Sequence, residues 1–115
     1  MDELVVDRAV YSELRDTTGA EFVAQLVDTF LEEGAGMLAE LRGACADGNA
    51  ERFRRAAHSL KSNGRTFGAV KLTALAREFE LKGLDADSTR DLAGLAALEA
   101  EYARAAAELK ALRNG

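Results

Sequence analysis

His58 is the sole histidine of this 115-residue chain, and it stands in the string Ala56-Ala57-His58-Ser59-Leu60-Lys61-Ser62. A neutral imidazole can act as a nucleophile, provided that solvent or a partner reaches it. If residues 50–66 form a helix, a step of about 100° per residue puts Glu51, Arg54, Arg55, Lys61, Ser62 and Arg65 within roughly 60° of His58. Phe53, Ala56, Ala57, Leu60, Gly64 and Phe67 fall on the other half of that helix. The ring is therefore expected to face water, among cations and beside small neighbours. Such a place suits a group that meets something anionic.

The charge distribution carries the same message. Residues 51–65 hold five basic residues (Arg52, Arg54, Arg55, Lys61 and Arg65) against the single acid Glu51, a net of +4. The chain as a whole is −5, so the remainder carries −9. An acidic protein is a poor partner for nucleic acid. One that gathers its positive charge around a histidine is expected to meet an acidic or phosphorylated partner there. The single cysteine, Cys45, sits among Leu41, Ala44 and Ala46 and reads as a small buried hydrophobe.

Length and composition fit one domain with a real core: 48 % of residues are hydrophobic, 30 % are charged, and proline is absent. The start, Met1-Asp2-Glu3-Leu4, lacks a secretory pattern, and no apolar run approaches the ~20 residues that span a bilayer. The expected setting is the cytoplasm, without membrane contact, unless the chain was cut from a larger membrane-anchored protein.

Helical periodicity must supply the scaffold. Asp7 can cap a short first helix (8–16), with Val6 and Tyr11 spaced as a hydrophobic staple. Thr18-Gly19-Ala20-Glu21 has capping-box spacing and opens a long second helix (19–46). Its apolar face includes Phe22, Val23, Leu26, Val27, Phe30, Leu31, Leu38 and Leu41. Asp47-Gly48-Asn49 is a turn, and Asn49 caps the third helix (50–66). A fourth (69–83) places Leu72, Leu75, Ala76 and Phe79 on one face. Ser88-Thr89-Arg90-Asp91 repeats the capping pattern before a fifth (89–113), striped by Leu95, Leu98, Tyr102, Ala106 and Leu109. Four substantial helices joined by short turns give an all-α, antiparallel up-down-up-down bundle with a short N-terminal capping helix.

Antiparallel packing predicts what reaches the height of His58. The turn between the third and fourth helices centres near residue 69, which brings Glu80 opposite His58. A carboxylate there could accept a hydrogen bond from one imidazole nitrogen, fix the tautomer and leave the other nitrogen as nucleophile. The turn near residue 48 brings the segment Gly34-Ala35-Gly36-Met37-Leu38 to the same level, with Gly34, Met37 and Leu38 as candidate partner surface beside Arg54, Arg55 and Arg65. Two glycines inside a helix cost about 1 kcal/mol each relative to alanine, offset by close helix packing or by close approach of a partner. Lys61, one turn from His58, would neutralise a phosphoryl group carried on the ring.

These residues resemble the histidine-containing phosphotransfer (HPt) domain of bacterial phosphorelays, whose pattern is roughly Ala-His-x-Leu-Lys-Gly followed by a glycine ten residues past the histidine and a Leu-rich helix ending Leu-Glu. Ala57, His58, Leu60 and Lys61 match it, Gly68 falls in place, and Leu72, Leu75 and Phe79-Glu80 follow in register. Ser62 stands where the family most often has glycine, and Asn63-Gly64-Arg65 is also less typical. Serine stays small enough to leave the ring open, and its hydroxyl is available to hydrogen-bond the phosphate.

The resemblance implies that His58 exchanges a phosphoryl group with aspartates of response-regulator receiver domains, supplied by a hybrid or partner histidine kinase. Mg²⁺ and an acidic cluster are then expected on the receiver, with no cofactor or metal held by this chain, which acts as a monomer. Phosphoryl transfer needs in-line placement and charge neutralisation more than covalent machinery. No glycine-rich ATP-binding motif is present, so the chain is expected to be a transfer intermediate rather than a kinase. The alternative is a helical interaction module of the same fold that binds a signalling protein without chemistry. A metal or haem site at His58 is disfavoured by the surrounding positive charge.

Overall fold

The computed structural model describes residues 5–84 and 88–114, with side chains in the last segment from residue 93 onward. The helices are α1 (Arg8–Thr18), α2 (Ala20–Asp47), α3 (Ala50–Thr66), α4 (Val70–Lys82) and α5 (Ser88–Asn114). Among the described residues there is no strand. Helix α2 packs against α3 and α5, and α4 packs against the same two, so the four form a closed ring. Short turns between successive helices make neighbours antiparallel. The bundle interior is filled by Phe30, Leu41, Phe53, Leu60, Leu72, Leu95 and Leu98, each at most 2 % exposed. Burying each such side chain contributes about 1.5–3 kcal/mol. Phe30 anchors the centre, its ring 5.2 Å from Phe67 and 5.7 Å from Tyr102.

Side-chain caps set the starts of α1 and α3. The Asp7 carboxylate accepts the Ala9 amide at 3.0 Å, and Asn49 accepts the Arg52 amide at 3.0 Å. Each cap satisfies an amide that the first helical turn leaves without a partner, worth about 1 kcal/mol. Val6 and Tyr11 are both buried at the foot of α1. The expected capping box at Thr18 does not form. Helix α1 continues through Thr18, whose hydroxyl donates to the Leu14 carbonyl at 2.8 Å, and α2 begins at Ala20 with Gly19 before it and no side-chain cap. Gly19, at φ 94°, ends one helix and starts the next, a backbone conformation that favours glycine. The proposed cap at Ser88-Thr89-Arg90-Asp91 lies outside the residues with described side chains, although α5 does begin at Ser88.

Phe22, expected on the buried face of α2, is 50 % exposed. Val23, Val27 and Phe30 set the rotation of that helix, and Phe22 lies about 100° away from Val23.

The turn between α3 and α4 positions the site. Gly68 has φ 73°, and a Cβ on it would come within 2.9 Å of the Asp7 carbonyl and of Val10. The Asp7 amide donates to the Gly68 carbonyl at 2.7 Å, so the start of α1 rests on this turn. One helical turn earlier, Gly64 lets the two helices close together, since a Cβ there would meet the Thr73 hydroxyl at 2.7 Å.

Candidate functional site

His58 projects from α3 with 57 % of its side chain exposed. The helix buries Phe53, Ala56, Ala57, Leu60 and Gly64 and turns the opposite face to solvent. On that outer face Arg54, Arg55, Ser62 and Arg65 are exposed. Across the seam, Phe79 of α4 stacks on Phe53 of α3, ring centroids 5.5 Å apart and 15° from parallel. That contact and the close approach at Gly64 hold α4 in register, and Glu80 then lies beside the histidine.

Glu80 divides its two oxygens. Oε2 is 2.5 Å from His58 Nδ1, and Oε1 accepts from Lys61 Nζ at 2.6 Å. Glu80 and Lys61 are each only 16 % exposed, whereas the ring they flank is open. The Lys61 ammonium, and secondarily the His58 ring, hold the Glu80 carboxyl below its usual range, so it is ionised at neutral pH. An ionised carboxylate only accepts, which places the proton on Nδ1 and leaves the Nε2 lone pair directed outward. Lys61 therefore does not stand free beside the ring: it is the counter-ion of the carboxylate that orients it.

The basic patch is smaller than the residue count indicates. Arg52 donates to Glu40 at 2.8 Å and to Asp47 at 2.9 Å, lying across Gly43, where a Cβ would meet its guanidinium at 2.6 Å. This arrangement holds the Glu40 carboxyl low. Arg54, Arg55 and Arg65 are exposed and make no salt bridge within 4 Å among the described residues, although Arg55 also helps to hold the Glu40 carboxyl low; these three carry the positive field around His58.

Two residues expected to face a partner do not. Gly34 is buried beneath the Tyr102 ring of α5, whose hydroxyl donates to the Leu31 carbonyl at 2.6 Å. Leu38 is 8 % exposed and belongs to the core. Both lie on the apolar face of α2 that Phe30 and Leu41 mark, Gly34 standing four residues from Phe30 and from Leu38, so this face packs into the bundle and not against a partner. Met37 is partly buried, its sulfur accepting from the Asn63 amide at 3.5 Å. Gly36, the second glycine of that segment, is exposed with nothing within 4 Å of the place a Cβ would take, so close helix packing offsets the cost of Gly34 but not that of Gly36. Gly68 acts through its backbone in the turn, away from the ring. Among the described residues no cluster of three or more histidine, cysteine or acidic side chains could hold a metal ion, and no helix is long and apolar enough to cross a membrane.

The Hpt domain family model matches residues 25–114. The chain belongs to the Hpt domain family. It is a phosphohistidine carrier of a phosphorelay, and Hpt domains of such relays pass phosphate to receiver domains. Its fold is similar to the crystal structure of histidine-containing phosphotransfer protein B (HptB) from Pseudomonas aeruginosa PAO1. The TM-score is 0.85 at 26 % identity, over 98 % of this chain and 97 % of that one. Among curated proteins there is no match.

Proposed function

We propose that His58 is the residue that carries the phosphoryl group, on Nε2, between receiver-domain aspartates in a relay fed by a hybrid or partner histidine kinase. The observation that carries this reading is the division of Glu80 between His58 Nδ1 and Lys61 Nζ beside an open ring.

In the forward step the Nε2 lone pair attacks the phosphorus of an aspartyl phosphate, the Nε2–P bond forms and the aspartyl P–O bond breaks. The aspartate carboxylate leaves. The proton stays on Nδ1, and the positive charge that the ring acquires is met by Glu80 Oε2, so the bond to Glu80 strengthens as transfer proceeds. Reversal returns the group to a second aspartate. Lys61 keeps Glu80 in place and puts a cation one turn from the transferred group, where it neutralises part of its charge.

Ser62, one turn beyond His58, is small enough to leave the approach clear. Arg54, Arg55 and Arg65 draw in the acidic cluster of the receiver. Mg²⁺ belongs to the receiver, and this chain works as a cytoplasmic monomer without a cofactor of its own.

A receiver domain labelled on its aspartate with radioactive phosphate tests the assignment. The native chain is expected to take up the label and His58→Gln to take up none. Label that persists in His58→Gln places the carrier elsewhere.

A further inference from the structure

Phe79 of α4 meets two other helices. Its ring stacks on Phe53 of α3, and its outer edge reaches α5, where a Cβ on Gly94 would come within 3.2 Å of Cζ and 3.4 Å of Cε1. Alanine is locally a better helix former than glycine, so what Gly94 supplies is room for this ring. Phe53 is 1 % exposed, which leaves the stacked ring no open space towards α3. In a close-packed interior, a side chain at position 94 displaces Phe79 together with the backbone that carries it.

That displacement falls at the sensitive end of α4. Near the start of the helix Thr73 closes on Gly64, where a Cβ would meet its hydroxyl at 2.7 Å. Phe79 lies six residues further on, about 9 Å along the axis, and Glu80 follows it directly. Glu80 reaches His58 Nδ1 at 2.5 Å and Lys61 Nζ at 2.6 Å, contacts that a small shift of α4 lengthens and misaligns.

We propose that Gly94 is a positioning residue for phosphoryl transfer: the room it leaves for Phe79 sets how α4 presents Glu80 to His58. Among the described residues, Phe79 is the one contact outside α5 within 4 Å of the place its Cβ would take, so Gly94 acts through that ring. The part in transfer rests on the carrier reading above. The effect on the imidazole tautomer does not.

The test uses Gly94→Leu, Gly94→Ala, Glu80→Ala and the double variant Gly94→Leu/Glu80→Ala in the full chain. Phosphoramidate, a donor too small to need docking, labels His58 as its P–N bond breaks, Nε2–P forms and ammonia leaves. Gly94→Leu should slow labelling by phosphoramidate and by a receiver domain alike, by about fivefold, with the half-saturating receiver concentration unchanged. Nitrogen NMR should show both neutral tautomers of His58 in Gly94→Leu, and a smaller displacement of the ring signals in Gly94→Ala. In the double variant the leucine should slow labelling no further than Glu80→Ala does, since the carboxylate through which it acts is gone. A native rate and ring spectrum in folded Gly94→Leu overturn the proposal. So does a further loss of the same size in the double variant, which marks a merely structural effect. Should leucine unfold the bundle, Gly94→Ala decides, and a native ring spectrum there overturns the proposal equally. The carrier reading fails separately, if the native chain takes label from neither donor.

Discussion

Glu80 joins His58 to Lys61: one carboxylate oxygen lies 2.5 Å from the imidazole Nδ1 and the other 2.6 Å from the ammonium. Sharing the carboxylate with Lys61 anchors it at the seam between α3 and α4, so its other oxygen meets Nδ1 and leaves Nε2 open.

The first prediction concerns Glu80. Replacing it with alanine removes the acceptor that fixes the proton on Nδ1, so both neutral tautomers of His58 should be populated. Nitrogen NMR of the ring should show this directly. Phosphoryl uptake should slow by about tenfold, in line with the loss of one positioned hydrogen bond, while the helical spectrum is unchanged. A single Nδ1–H tautomer in Glu80→Ala would remove the orienting role.

A pH dependence follows from the same group. The Glu80 carboxyl is depressed below 4.5 in the folded chain, first by Lys61 and then by His58. A depressed carboxyl contributes stability that is present above its unfolded value and lost as pH falls through the folded one. The Lys61 ion pair and the Nδ1 bond should therefore hold at neutral pH and fail together only in acid, below 4.5. In Lys61→Met the Glu80 titration, followed by carboxyl carbon NMR, should move back up towards 4.5. An unchanged titration would mean that the ammonium is not its main partner.

Gly34 and Gly36 should respond oppositely to a methyl group. Gly34→Ala drives a Cβ into the Tyr102 ring, and overpacking of this kind costs about 1–3 kcal/mol in urea unfolding. Gly36→Ala should cost nothing.

That contrast also shows where sequence reasoning reaches its limit. Residues two positions apart in a helix are rotated by about 200°, so Gly34 and Gly36 face different surroundings although they share one short segment. Only the rotation of α2, set by Val23, Val27 and Phe30, decides which of them is buried. The height of Glu80 relative to His58 was legible because short turns fix antiparallel register by counting residues. The hold of Glu80 on Lys61 was not, because it depends on how side chains cross the seam between α3 and α4. Caps at Asp7 and Asn49 are local and could be read directly. Thr18 failed as a cap because it is the last residue of α1, and the positive φ of Gly19 makes that glycine the junction between α1 and α2.

Glu101 offers a stability test remote from the site. It is 1 % exposed, with Oε1 accepting from Arg104 at 2.9 Å and Oε2 without a partner. An unsatisfied buried oxygen costs about 1–3 kcal/mol. Glu101→Met, of similar volume, should raise the urea midpoint by an amount equivalent to about 1 kcal/mol or more. A lower midpoint would show that the carboxylate is better satisfied than its contacts indicate.

The most direct measurement is phosphorus–nitrogen NMR of the phosphorylated chain labelled with ¹⁵N in its histidine. Coupling from phosphorus to the outward Nε2 of His58, with Nδ1 still protonated and bonded to Glu80, is the predicted result. Phosphorus on Nδ1, or on any other residue, would contradict it.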